Sequence, residues 1–357
     1  MKKVQILSFA GILATALLAG CSPKDDPNKD PNKNPPKEKA PIVFVMSGQS
    51  NMEGNTNFGR GKGDTSYLDA AFEALGINDG DVCKTGIASV KCSYYGNGYG
   101  ELDHTNYNRS DVHASNTTDK IKGAFFPTKI GMGHTDDMMG PELGLAYELM
   151  NEATEEEPIY LVKMASSGSG FAQDGTQYNW LIKDESGNRK ENNLYDAFLK
   201  PFLQNNLDLI EQETGKKPVV KGWLWHQGES DASTEKRTKY VDRQNMMINE
   251  FRTDFAAYAE DENGENIAFI DGLPFEGGTM LAGASDAKAL NEARISAASE
   301  GINRYIVDNY ANMEHTADNE LKVSGDGSTQ GVHYNTKDDF KLGMAYGKVI
   351  KDNGLLD

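Results

Sequence analysis

Cysteine is scarce: three in 357 residues is too few for a disulfide-built scaffold, and none stands near a histidine at the spacing of a zinc site. Positive charge is also short, with 36 Lys and Arg against 54 Asp and Glu and a net charge of −18. A nucleic-acid binder carries a basic footprint, so that class of partner is excluded. No apolar run is long enough for a comfortable membrane span, and no repeat recurs at solenoid or propeller period. A phosphate loop is missing too: in "FGRGKGDT", Gly59 is followed by Arg60 and Gly61 and not by Lys-Ser or Lys-Thr.

What is present begins with a leader. Lys2 and Lys3 precede an apolar stretch from Val4 to Ala19, which predicts a secretory signal over residues 1–20. Leu18-Ala19-Gly20-Cys21 resembles a bacterial lipobox, which implies cleavage before Cys21, lipidation of that cysteine and membrane contact only through the anchor. Residues 22–40, rich in Pro, Asn, Asp and Lys, read with Cys21 as a disordered tether. "SPKDD" after Cys21 resembles an acidic surface-export signal. The expected address is an outer-membrane lipoprotein exposed on the cell surface, with the periplasmic face as the alternative. Residues 41–357 are then one large domain. Within it Cys83 and Cys92 either close a small loop as a disulfide or remain two buried thiols.

Hydrophobic patterning alternates between the two regular structures. Strands are predicted at 42–46, 159–165, 219–228, 266–274 and 304–310. Helices are predicted at 140–153, 194–215 with a bend at Pro201, 236–259, 289–300 and 336–354. This order argues an α/β protein with a mostly parallel central sheet covered by helices on both faces, a three-layer α/β/α architecture. Residues 55–135, dense in Gly, Asn, Asp and Tyr, read as long loops. Tyr94, Tyr95 and Tyr99 would there be exposed for stacking on sugar rings, or simply packed on the surface. Trp223 and Trp225 are expected to face the core and a helix, one each.

Chemistry should gather at the carboxyl ends of the strands. The first strand runs into Gly48-Gln49-Ser50-Asn51, a tight turn presenting one serine; the plain alternative is a helix cap by Ser50 or Asn51. After the second comes Ser166-Ser167-Gly168-Ser169-Gly170, able to turn amides toward a ligand. The third ends in His226-Gln227-Gly228-Glu229-Ser230-Asp231, and Gly331-Val332-His333-Tyr334-Asn335 precedes the last helix. A nucleophilic serine needs a base, donors for the oxyanion and an acid behind the imidazole, and each role has a candidate here.

"SGQSNMEG", "GPELG", "VKMASSGSG", "WLWHQGESD" and "GVHYN", in this order, resemble the sialate O-acetylesterase and acetyl xylan esterase group (carbohydrate esterase family six) of the SGNH hydrolases. The resemblance spans roughly residues 41–350 and implies an SGNH-like, flavodoxin-like fold. Position by position, it makes Ser50 the nucleophile and His333 the general base. The Ser50 and Gly168 amides and the Gln227 side chain become the oxyanion hole. Met52 stands where a Gly-x-Ser-x-Gly elbow would have its last glycine. Two departures matter. Gln330 occupies the place where many relatives carry the triad Asp, so the acid is expected at Glu229, with Asp326 and Asp231 in reserve. Ser167-Gly168 replaces the family's paired glycines. His226 and Asn51 are candidate lining residues, while His104, His113, His134 and His315 read as solvated loop residues.

The resemblance implies removal of acetyl groups from a glycan through a Ser-His-Glu acyl-enzyme, with no metal and no cofactor. The substrate would be acetylated xylan, another plant polysaccharide or O-acetyl sialic acid. The alternative is a catalytically silent glycan-binding lipoprotein on an esterase scaffold, which Gln330 and the Tyr-rich loops favour. An esterase for long acyl chains would need an apolar lid that is not seen. No pattern in the sequence encodes an oligomeric state.

Overall fold

The computed structural model describes residues 39–61, 63–95, 123–171, 179–190, 193–276, 284–308 and 333–357. The leader, Cys21, the tether to residue 38, Tyr99, His104, His113, His315, Asp326 and Gln330 lie outside the described residues. Ala40–Asp357 forms one compact unit.

In chain order its elements are β1 (Ile42–Gly48), α1 (Ser50–Glu53), β2 (Thr56–Asn57), α2 (Ser66–Leu75), α3 (Asp81–Thr85), β3 (Ile87–Tyr95), β4 (Phe126–Thr128), β5 (Met138–Met139) and α4 (Glu142–Leu149). They continue with β6 (Ile159–Ala165), α5 (Lys200–Thr214), β7 (Val219–His226), α6 (Thr234–Arg237), α7 (Tyr240–Asp254), β8 (Ala268–Gly272), α8 (Ala284–Glu300), β9 (Arg304–Val307) and α9 (Thr336–Asp352).

Seven strands form the central sheet in the order β4-β3-β6-β1-β7-β8-β9, and β2 with β5 makes a separate pair. All pairings in the large sheet are parallel except β3 with β4 at one edge. Central β1 carries no polar alternation because both its faces are covered. Val43 and Val45 join Trp223 and Trp225 in one core, with Phe202 and Leu203 of α5 and Phe251 of α7. Phe44 and Met46 join Leu224 in the other, with Leu143 of α4 and Phe340 and Tyr346 of α9. The two tryptophans therefore share one face of β7, and neither is the outward partner of the other. Burial of each such large apolar side chain contributes about 1.5–3 kcal/mol.

Helices α4 and α9 pack with backbones in close approach. A Cβ at Gly144 would lie 1.9 Å from the Phe340 carbonyl oxygen, so only glycine lets the two helices meet.

The structure corrects several expectations. Residues 55–135 are not simply loops: they supply α2, α3 and two strands of the sheet. Tyr94 and Tyr95 are buried on β3, the first beneath the Lys163 ammonium and the second against Phe198 and Phe202, so neither is offered to a sugar. The bend at Pro201 takes the form of a π-helical turn, Tyr195–Leu199, before α5; a proline that cannot donate an N–H shifts the hydrogen-bond register there. The long helix expected over 236–259 is broken after Arg237, where the Thr238 hydroxyl donates to the Glu235 carbonyl at 3.1 Å and competes with the helix. Cys83 and Cys92 are both buried free thiols, and burial pushes the Cys83 pKa up to about 12 and raises that of Cys92 as well. Such thiols are inert at physiological pH.

Candidate active site

Strand β1 lies between β6 and β7, and the chain crosses from β6 on one side of it to β7 on the other before continuing outward to β8 and β9. Open α/β sheets bind ligands at such a switch point. The three strand ends are level, with Gly48 opposite both Ala165 and His226. The chain therefore delivers Ser50, the Ser166–Gly168 turn and the Gln227–Glu229 segment to one place.

Gly48 sets the turn. Its φ is +153°, and a Cβ there would sit 1.9 Å from the His226 carbonyl oxygen. That same oxygen accepts the Gln49 N–H at 3.0 Å, while the Gly48 carbonyl accepts the Ser166 N–H at 3.1 Å. Ser50 then opens α1, and the Gly54 N–H closes it on the Ser50 carbonyl at 2.9 Å. The neighbouring turn is fixed by Ser169, whose hydroxyl donates to the Ser166 carbonyl at 2.6 Å and accepts the Trp180 indole N–H at 2.8 Å. Gly168 takes the left-handed conformation within it, at φ +68°.

The residues flanking the nucleophile and base candidates are bonded to each other. Asn51 Oδ1 accepts the Tyr334 N–H at 3.2 Å, and the Thr56 hydroxyl donates to the Tyr334 carbonyl at 3.0 Å. This pins the segment carrying His333 beside Ser50, although 283 positions separate Asn51 from Tyr334. Among the described residues neither the Ser50 hydroxyl nor the His333 ring is engaged in a hydrogen bond, as is common before a substrate tightens a site. Burial holds the His333 pKa below the ordinary imidazole value of 6.5; the Glu53 carboxylate opposes that shift and His134 adds to it. The ring is thus neutral at physiological pH, the form a general base needs.

Glu229 meets Asn51. Its Oε1 accepts the Asn51 side-chain N–H at 2.7 Å and lies 3.6 Å from His226 Nε2. Burial raises the Glu229 pKa, against the Asn51 hydrogen bond and the charge of Arg294. His226 is fully buried and its pKa falls to about 3, chiefly by desolvation and then by Arg294, so this imidazole stays neutral. Its ring nitrogen Nε2 lies 3.3 Å from the Tyr334 hydroxyl.

Gln227 and Asp231 form an internal brace. Gln227 Nε2 donates to Asp231 Oδ2 at 2.7 Å, and also approaches Gln49 Oε1 and the Ser169 carbonyl at 3.2 Å each. Asp231 Oδ2 further accepts the Phe171 N–H at 2.9 Å. The Gln227 amide nitrogen is committed to the protein, and serving an oxyanion would require it to leave one of these acceptors.

One carboxylate at this edge was given no role on sequence. Glu53, at the end of α1, is 1% exposed. Its Oε2 accepts the Ser167 amide at 2.8 Å and also the Ser167 hydroxyl, and its Oε1 faces His134 Nδ1 at 2.9 Å. His134 is consequently half-buried against a carboxylate and is not the solvated loop residue expected. Glu53 stands inside the quoted "SGQSNMEG" motif, but its partners come from two distant loops. Among the described residues no group of three His, Cys, Asp or Glu side chains is arranged to hold a metal ion.

Known proteins share the fold. The NanS crystal structure superposes with a TM-score of 0.56 at 12% identity, over 88% of this chain and 98% of that one. A protein of Arabidopsis thaliana solved by X-ray crystallography gives 0.51 at 17% identity, over 88% and 99%. At these identities the likeness shows the fold. No curated protein matches the chain by sequence. The family model described as carbohydrate esterase, sialic acid-specific acetylesterase matches residues 97–351, well over half of the chain. On that match the chain belongs to the sialic acid-specific acetylesterase family of carbohydrate esterases, and it is an esterase.

Proposed function

We propose that the protein removes O-acetyl groups from a glycan through an acyl-enzyme formed on Ser50. The observation that carries this reading is the Asn51–Tyr334 hydrogen bond, which sets the residue after the nucleophile against the residue after the base. In the proposed reaction neutral His333 takes the Ser50 proton as the hydroxyl oxygen attacks the acetyl carbonyl. The amides of Ser50 and Gly168 stabilise the oxyanion. Collapse expels the sugar hydroxyl, which receives the proton from His333, and water activated by the same ring releases acetate. Glu229 contributes through Asn51: its carboxylate fixes the amide that in turn fixes the Tyr334 backbone. Acetylated xylan, other plant polysaccharides and O-acetyl sialic acid are the candidate substrates. The leader and Cys21 support a lipid-anchored, cell-surface address, which protease shaving of intact cells tests.

The mechanism is tested by labelling the protein with a serine-directed phosphonate and locating the adduct by mass spectrometry. Modification of Ser50 that slows by at least about two orders of magnitude in His333→Ala supports the pair. Labelling elsewhere, or labelling indifferent to His333, contradicts it.

A further inference from the structure

The buried Glu53 carboxylate has a place in the fold that packing does not explain. A carboxylate removed from water is costly unless it is paired and hydrogen-bonded. Here it draws on three separate segments: α1 itself, the Ser166–Gly168 turn after β6, and the loop holding His134. The connection is reinforced on both sides. Asn55 Nδ2 donates to the Ser50 carbonyl at 3.0 Å and to the Ser167 hydroxyl at 2.9 Å. The His134 N–H donates to the Gly54 carbonyl at 2.7 Å, and the Tyr94 hydroxyl donates to the Glu53 carbonyl at 3.3 Å.

Because Glu53 takes up the Ser167 N–H, the adjoining Gly168 is held in a fixed relation to Ser50, and these are the two proposed oxyanion donors. A shift of about 1 Å in such a pair is enough to cost two orders of magnitude in rate. Glu53 has a second effect, through charge. Of the ionisable groups around His333, Glu53 from α1 favours the charged ring and His134 from the facing loop disfavours it. The groups facing Glu53 are His134 and the neutral donors Ser167 and Asn55.

We propose that Glu53 is a positioning residue for the esterase reaction: through the Ser167 amide and hydroxyl it locks the Gly168 turn onto the Ser50 helix and so sets the two oxyanion donors relative to each other. This rests on the reading of Ser50 as nucleophile and His333 as base. The role differs from that of Glu229, which acts on the opposite side of α1 through Asn51.

The test is steady-state hydrolysis of 4-nitrophenyl acetate by the wild type, Glu53→Gln, His134→Gln and Ser50→Ala across pH, with thermal melting of each. Glu53→Gln is expected to lower kcat about tenfold or more with KM within about twofold, because the loss falls on the transition state. The acid limb of kcat/KM should also move to lower pH in that variant, since a group favouring the charged ring has gone. His134→Gln should move the limb the other way. A merely structural Glu53 would lower the melting temperature and leave kcat and KM of the folded enzyme unchanged, and that result overturns the proposal. Should Glu53→Gln fail to fold, Glu53→Asp decides in its place: it keeps the charge but shortens the reach to the Ser167 amide, and a wild-type kcat in that variant overturns the proposal. Activity in Ser50→Ala would overturn the nucleophile assignment itself, whereas an inactive Ser50→Ala beside an unaffected Glu53→Gln overturns only the role of Glu53.

Discussion

Asn51 Nδ2 lies 2.7 Å from Glu229 Oε1, joining the residue after the candidate nucleophile to a carboxylate 178 positions away. The same Asn51 accepts the Tyr334 N–H through Oδ1, so one amide side chain ties the ends of β1 and β7 to the His333 segment. Glu229 is therefore linked to the segment carrying the candidate base His333 through Asn51 and the Tyr334 backbone.

Substitutions at this joint should separate the two effects. In Glu229→Gln an amide oxygen can still accept from Asn51, so kcat is expected to fall by no more than about tenfold. Asn51→Ala removes donor and acceptor together and leaves Glu229 buried without that partner. It should lose about 1–3 kcal/mol of stability and at least about two orders of magnitude in kcat. Parallel kinetics and denaturant unfolding check both. A Glu229→Gln loss as large as that of Asn51→Ala would return the carboxylate to direct action on the imidazole.

The pH profile follows from burial of His333. Its pKa is held below 6.5, so the neutral ring persists to lower pH than an exposed imidazole would. The kcat/KM of the wild type should rise with pH along an acid limb whose midpoint lies below 6.5, and should be flat above it until another group titrates. A midpoint above that value would show that the base is not this buried ring.

Gly48 is expected to tolerate no side chain. A Cβ placed 1.9 Å from the His226 carbonyl forces β1 and β7 apart at the site. Gly48→Ala should cost at least about 2 kcal/mol and most of the activity, measured by urea unfolding and acetate release.

Asp339 on α9 is fully buried, and desolvation followed by the neighbouring Glu142 charge holds its pKa well above 3.8. The folded state keeps the proton while the unfolded chain loses it near that value. The stability Asp339 gives is thus present below pH 3.8 and is lost as pH rises toward its raised pKa. Asp339→Asn has no proton to lose, so its melting temperature should gain on the wild type as pH is raised from 4 to 8. Parallel melting curves would contradict the buried neutral carboxyl.

Much of the scaffold was legible in the sequence, for reasons that also explain what was not. β1 and β6 show as short apolar runs because both sheet faces are covered, and β6 falls on Ile159–Ala165 as predicted. β3 does carry a strand alternation in Ser89-Val90-Lys91-Cys92-Ser93-Tyr94, but it is set amid Gly-, Asn- and Tyr-rich residues that read as loop. At the site, strand ends and family resemblance together brought forward Ser50, Gly168, Glu229 and His333. The partners of Glu53 were out of reach: Ser167 and His134 lie 114 and 81 positions away, and no local period records a contact made by folding. Likewise nothing local distinguishes a Gln227 aimed at an oxyanion from one bound to Asp231.

The most direct test is acetate release from acetylated xylan and from O-acetylated sialic acid, by the wild-type protein and Ser50→Ala side by side. The esterase reading predicts release from at least one substrate, reduced by at least about three orders of magnitude in Ser50→Ala. Undiminished release by Ser50→Ala would contradict Ser50 as the nucleophile. No release from either substrate by a folded protein that still binds glycan would make it a binding module on an esterase scaffold.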